Sequence, residues 1–148
     1  MGRAREPTAE AGDFHRAARA RATVTAHLEA LRGAGDCGAA LTDDVALTIM
    51  GTGEVTRGRA AVAALLAYLH RSAFAAPPAV ATLVAGTERA MIEAEFIGPH
   101  TGEFAGIPPT GRMVRLPYAV AYDLGADTIS AVRLYFPMDL LVRQLRET

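Results

Sequence analysis

The chain has 148 residues, of which 51% are hydrophobic and 21% charged, and a formal net charge of -1. That is enough apolar material for one buried core, short for two, and too much for a disordered chain. The near-zero charge gives no footprint for nucleic acid or an anionic membrane, no apolar run is long enough to span a bilayer, and the solitary Cys37 excludes a disulfide framework or a thiolate metal cluster.

The opening segment, MGRAREPTAEAGD, lacks the apolar stretch of a secretory signal, so a cytoplasmic protein is expected. Residues 1–12 read as a flexible tail and 13–148 as a single domain. From Phe14 the spacing turns helical. Phe14, Ala17, Ala18, Val24, Leu28 and Leu31 recur three or four positions apart, and Gly33 and Gly35 end the helix. A short helix or turn is expected at Ala39 to Leu41, and Asp43 and Asp44 read as a turn into a first strand, VALTIM. GTGEV then predicts a tight turn with a short returning strand. A further helix, RAAVAALLAYLHRSAF, carries Val62, Leu65, Leu66 and Leu69 as its inner stripe and stops before Pro77 and Pro78.

Four strand-like segments follow: AVATLVAG, AMIEAEFIG, GRMVRLPYAVAYD and TISAVRLYF. In the third, Val114, Leu116, Tyr118, Val120 and Tyr122 share a face, and Pro117 demands an edge, a bulge or a bend. An amphipathic helix over Leu140 to Leu145 closes the chain. Helices first and antiparallel strands after predict an α+β fold, a curved sheet with helices packed on one face. The four histidines, His15, His27, His70 and His100, show no metal-ligand spacing, so no metal is expected.

Two stretches carry a resemblance. GPHTGEFAGIPPTGRMVRLP (Gly98 to Pro117) and YFPMDLLVRQL (Tyr135 to Leu145) are similar to the motifs of SnoaL-like polyketide cyclases. That family belongs to the nuclear-transport-factor-2-like superfamily. The resemblance covers Phe14 to Leu145 and implies a cone-shaped α+β barrel, a mostly antiparallel sheet wrapping N-terminal helices around an apolar pocket. It also implies a homodimer, no cofactor, and cyclisation or isomerisation of a hydrophobic, oxygenated, polyketide-like molecule. In the family's chemistry a carboxylate removes an acidic C–H proton and hydrogen-bond donors hold the enolate. Aligned on Gln144 and Leu145, the position of that carboxylate falls on Pro137. The matched polar residues are His100, Glu103, Arg112, Tyr135 and Gln144.

With the usual base absent, His100 is the expected general acid/base, since an imidazole exchanges protons near neutrality. Asp139 is a displaced alternative that also suits the first turn of a helix. Arg133 and Tyr135 share a strand face leading to Pro137 and would hold a developing oxyanion, although Val132, Leu134 and Phe136 are the natural buried face. Tyr118 is counted with the substrate contacts and, like Tyr122, packs through its ring. Glu95, beside Glu93, and Arg112 complete the contacts, with a Glu103–Arg112 pair ordering the motif loop. His27 reads as a satisfied core histidine; His15, His70 and Cys37 carry no signal. Two other functions remain open: a ligand-binding protein without turnover, and an epoxide-opening enzyme, which needs a carboxylate to activate water.

Overall fold

In the computed structural model, which describes residues 9–147, three helices pack on one face of a six-stranded sheet. The elements run α1 (Ala9–Arg32), β1 (Leu41–Ile49), β2 (Glu54–Arg57), α2 (Arg59–Ala67), β3 (Pro78–Ala85), β4 (Arg89–Pro99), β5 (Met113–Leu124), β6 (Ile129–Tyr135) and α3 (Met138–Arg146). The strands lie in the order β2-β1-β6-β5-β4-β3, with β1 and β6 parallel and every other neighbouring pair antiparallel. The sheet is curved but not closed: β2 and β3 form its two edges.

The helical stripe on α1 comprises Ala20, Thr23, Val24, His27, Leu28 and Leu31, all buried. Its spacing of three and four places these side chains over the sheet. Phe14, expected on this stripe, is 73% exposed, because full burial on α1 begins only at Ala20. Residues 9–12, read from sequence as tail, form the first turn of α1; the remainder of that tail lies outside the described residues. Asp43 and Asp44 are exposed within β1 rather than before it. The pairing explains this: Leu41 meets Ile129 and Ala46 meets Ala131, so the residues between bulge out of register and the turn-forming pair is accommodated inside the strand. The short helix or turn expected at Ala39 to Leu41 is a turn leading into β1.

The predicted alternation of β5 is observed, with Val114, Leu116, Tyr118, Val120 and Tyr122 all buried. Val132 and Leu134 on β6, and Phe136 just past its end, face inward while Arg133 and Tyr135 face outward, as the large apolar residues favour. β5 outruns β6: its last pair is Ala119 with Tyr135. Beyond that point the Gln144 side chain of α3 stands in for a strand. Its Nε2 donates to the Arg115 carbonyl at 2.8 Å and its Oε1 accepts from the Arg115 N–H at 2.9 Å. Pro117 sits in this β6-free stretch, where a missing ladder donor is tolerated. Pro137 ends β6, and its carbonyl accepts the N–H of Leu141 at 3.1 Å to start α3.

The third predicted helix changes character partway. After Ala67 it widens into a π-helical turn, Tyr68–Ser72, with the Ala73 N–H bonded to the Tyr68 carbonyl at 2.8 Å. The segment that follows is pressed onto the end of β4. A Cβ on Gly98 would lie 2.1 Å from the Ala75 carbonyl oxygen, and one on Gly102 would lie 2.5 Å from that of Ser72. Only glycine permits this approach. Among the described residues no helix is long and apolar enough to cross a membrane.

Candidate functional site

Between α1, α2 and the inner face of the sheet lies a narrow cavity of about 20 Å³, room for a single water. Apolar side chains make most of its wall, among them Leu28, Leu66, Ile92, Phe96, Val120 and Leu134. Four residues bring polar atoms to it: His27 from α1, His70 from the π-helical turn, and Tyr118 and Tyr122 from β5. No carboxylate is among the lining residues.

Each of the four is there for a local reason. His27 occupies the inner stripe of α1 between Val24 and Leu31. Tyr118 and Tyr122 occupy alternate inward positions of β5, and the Tyr122 ring meets His27 edge-on at 6.0 Å. His70 is turned inward by the π-helical turn and fixed twice to Ala76: its Nδ1 bonds to the Ala76 carbonyl at 2.7 Å, and its own carbonyl accepts the Ala76 N–H at 3.1 Å. A carbonyl can only accept, so Nδ1 carries the proton and Nε2 presents a lone pair.

The polar atoms of this cavity have little else to bond. His27 is 3% exposed, yet neither ring nitrogen has a hydrogen-bond partner among the described residues. The same holds for His70 Nε2 and for the Tyr118 and Tyr122 hydroxyls. None of these atoms is fully sealed by protein. Buried polar groups in a folded core are normally paired, and the convergence of these four on one cavity makes it the candidate site.

Their electrostatics follow from burial. Burial, with His70 close by, lowers the His27 pKa from 6.5 to about 4. Burial also lowers that of His70, against the opposing effect of the Ala76 hydrogen bond and with Arg71 adding to the lowering. Both imidazoles are therefore neutral at pH 7. Burial holds both tyrosine hydroxyls well above the usual range, so they remain protonated donors.

The residues singled out from sequence are distributed differently. Tyr118 lines the cavity; His100, Arg133, Tyr135, Pro137, Asp139, Glu95 and Arg112 do not. His100 is fully buried at the start of the motif loop, its ring against Phe74 at 5.1 Å. Its Nδ1 accepts the Thr110 N–H at 3.1 Å, so it pins the two ends of that loop together. Arg133 lies on the outer face of the sheet, paired with Asp123 at 2.9 Å; the Arg133 hydrogen bond holds the Asp123 carboxyl below the usual range. Glu95 is on the same face, paired with Arg115 at 3.0 Å. Tyr135 is exposed there, and Arg112 lends its carbonyl to the His100 N–H at 2.9 Å. Asp139 is exposed in the first turn of α3 and shares an outer groove with Pro137, Thr52 and Arg143. Phe136 is the wall between that groove and the cavity. No Glu103–Arg112 ion pair forms among the described residues; the Glu103 carbonyl instead accepts the Tyr68 hydroxyl, and the loop is closed by a tight turn from Phe104 to Ile107.

Of the polar residues that line the cavity, His27 and His70 are the ones sequence reasoning passed over. Both sat on the core side of a predicted helix, one beside Leu28 and one beside Leu69. Nothing local showed that they would face each other.

The model of the SnoaL-like polyketide cyclase family matches residues 17–145. The chain belongs to this family. Solved structures agree with the fold. A protein from Jannaschia sp. CCS1, described as a SnoaL-like polyketide cyclase, superposes with a TM-score of 0.81 at 18% identity, covering 99% of each chain. One from Pseudomonas putida KT2440, described as a polyketide cyclase, gives 0.67 at 27% identity, covering 82% of this chain and 94% of its own. A Catenulispora acidiphila protein with a ketosteroid isomerase-like fold, in complex with trimethylamine, gives 0.67 at 18%, covering 82% and 90%. Comparison with curated proteins gave no match. Membership supports a cyclase or isomerase type of role and a small-molecule substrate. Among the described residues no group of three or more histidine, cysteine, aspartate or glutamate side chains is arranged to hold a metal ion.

Proposed function

We propose that the protein is a cytoplasmic, cofactor-independent cyclase or isomerase of a hydrophobic, oxygenated, polyketide-like molecule, which binds in the cavity between α1 and the sheet. The observation that carries this reading is the convergence on one apolar cavity of four buried polar residues, each with a side-chain polar atom that no protein group satisfies. All four are neutral, so the site suits an uncharged ligand: two hydroxyl donors for a carbonyl or enolate oxygen, and imidazole nitrogens for proton exchange. With Pro137 in the place of the family's carboxylate and no acid in the wall, the chemistry runs without the usual base. A carboxylate-activated water, which epoxide opening requires, has no candidate in the wall either.

A ligand of polyketide size needs several hundred Å³ of room. Binding therefore widens the cavity, with Leu and Phe side chains moving aside. The test is methyl-resolved NMR with a panel of neutral aromatic ketones. Shifts should concentrate on Leu66, Ile92, Val120 and Leu134, and Tyr118→Phe with Tyr122→Phe should weaken binding. Shifts confined to the outer face, at Val84 and Met91, would refute the interior site. A second reading, a ligand-binding protein without turnover, draws on the same absence of a carboxylate; binding by the wild-type protein with no product from any bound ketone would favour it.

The outer face of the sheet is the proposed homodimer surface. It exposes Val84, Met91 and Tyr135 beside the Arg133–Asp123 pair. Light scattering on a Met91→Lys variant tests it: a dimer that survives unchanged argues against this face.

A further inference from the structure

We propose that His70 is the proton-accepting residue of this site, its Nε2 held toward the cavity by a clamp that the Gly98–Gly102 segment places on the chain after it. The assignment rests on the cyclase or isomerase reading above and supplies the base that reading lacks.

Three observations carry it. First, His70 sits in a π-helical turn, a local departure from the α-helix that recurs at functional sites and that here turns one imidazole out of the helical register. Second, the Ala76 carbonyl fixes the tautomer, so the lone pair is on Nε2 and the orienting acceptor stands behind the ring, as in other base-and-orienter pairs. Third, Ala76 is itself fixed. The Ala75 N–H bonds to the Pro99 carbonyl at 3.1 Å, and the N–H groups of Thr101 and Gly102 bond to the Ala73 carbonyl at 2.9 and 3.0 Å. The Thr101 hydroxyl donates to the Ser72 carbonyl at 2.9 Å. The glycines at 98 and 102 allow the contact. The GPHTG motif thus positions the base from outside the cavity.

The step balances within one ligand. His70 Nε2 takes a proton from a carbon next to a carbonyl, and the C–H electron pair becomes the enolate double bond. Tyr118 and Tyr122 donate to the oxygen that gains charge. The enolate carbon bonds to a second carbonyl carbon of the same ligand, and the imidazolium returns its proton to the resulting alkoxide.

The titratable and charged groups facing His70 are His27 from α1, Tyr118 and Tyr122 from β5, and Arg71 beside it on its own turn; β1, β4 and β6 present only apolar side chains to the cavity. A neutral, buried acceptor next to a second imidazole remains unprotonated below the ordinary histidine range.

The experiment is deuterium exchange at the α-carbon of 2-tetralone, a neutral bicyclic ketone, followed by proton NMR in heavy water. The wild-type protein should exceed buffer, with a rate that holds below pH 6.5 before falling. His70→Asn keeps an N–H for the Ala76 carbonyl and removes the lone pair, and should lose about a hundredfold or more while circular dichroism stays unchanged. A folded His70→Asn with full rate overturns His70 as the base and leaves the cyclase reading standing. A wild-type protein no faster than buffer removes carbon-acid chemistry, and the proposal with it. Nitrogen-15 NMR of the wild-type histidines decides the matter should the variant fail to fold: a protonated Nδ1 and bare Nε2 on His70 are expected, and the opposite tautomer overturns the assignment.

Discussion

Acidification should destabilise this protein through His27. Burial lowers the His27 pKa from 6.5 to about 4 in the folded state. A histidine depressed on folding binds its proton more weakly in the native than in the unfolded chain, so stability is full above pH 6.5 and falls as pH drops toward 4. Integrating between those two pKa values gives a loss of about 2 kcal/mol at pH 5 and about 3 kcal/mol at pH 4. That is a large share of the stability of a domain of this size. The window is distinguishable from carboxylate effects, because Asp123 has its pKa lowered by the Arg133 hydrogen bond and contributes mainly below its ordinary range. The assay is urea denaturation at pH 7.5, 6, 5 and 4 for the wild type and His27→Gln. The glutamine should cost stability at pH 7.5 yet flatten the profile, with the gap between the two proteins narrowing or reversing by pH 5. Parallel profiles would refute the reasoning, since they would mean that His27 is protonated equally in both states. A ligand hydrogen-bonded to neutral His27 should steepen the wild-type profile further.

Two further substitutions probe the scaffold around the site. Gly98→Ala drives a methyl group into the Ala75 carbonyl and should destabilise by about 1–3 kcal/mol or more, measured as a lowered urea midpoint; Gly86→Ala, whose methyl group would meet the Arg89 carbonyl oxygen at an ordinary 3.6 Å, serves as the control. His100→Ala leaves the Thr110 N–H without its acceptor and opens space against Phe74, and should cost about 1–3 kcal/mol by the same measure. His100→Asn, with an oxygen near the Nδ1 position, should recover part of that loss.

What could be read from the sequence was whatever repeats locally. The stripe of α1 from Val24 to Leu31 and the alternation of β5 are properties of neighbouring residues, and the chain follows them. Phe14 repeated in phase and is nonetheless exposed, because period alone does not say where the partner surface ends. Asp43 and Asp44 have turn chemistry, but pairing with a strand 85 or more residues later absorbs them into a bulge. The site was harder for the same reason. His27, His70, Tyr118 and Tyr122 come together only in the folded chain, and the segment after His70 packs against Gly98 and Gly102, far downstream. His100, the most conspicuous residue of the motif, pins that downstream loop instead of entering the cavity.

The parallel seam between β1 and β6 also sets an order of events in folding. Strands β3 to β6 join sequential neighbours, β3 to β4 and β5 to β6 through short turns and β4 to β5 through the motif loop, and can zip as a meander soon after they exist. β1 has no such neighbour on its inner side: Ala46 must wait for Ala131, and Leu47 for Val132. Closing that span carries a large chain-entropy cost and comes late. During synthesis, β1, β2 and the helices around them leave the ribosome first and are completed last. The apolar faces of α1 and α2 therefore spend that interval uncovered, which makes the final strand the step on which escape from aggregation depends.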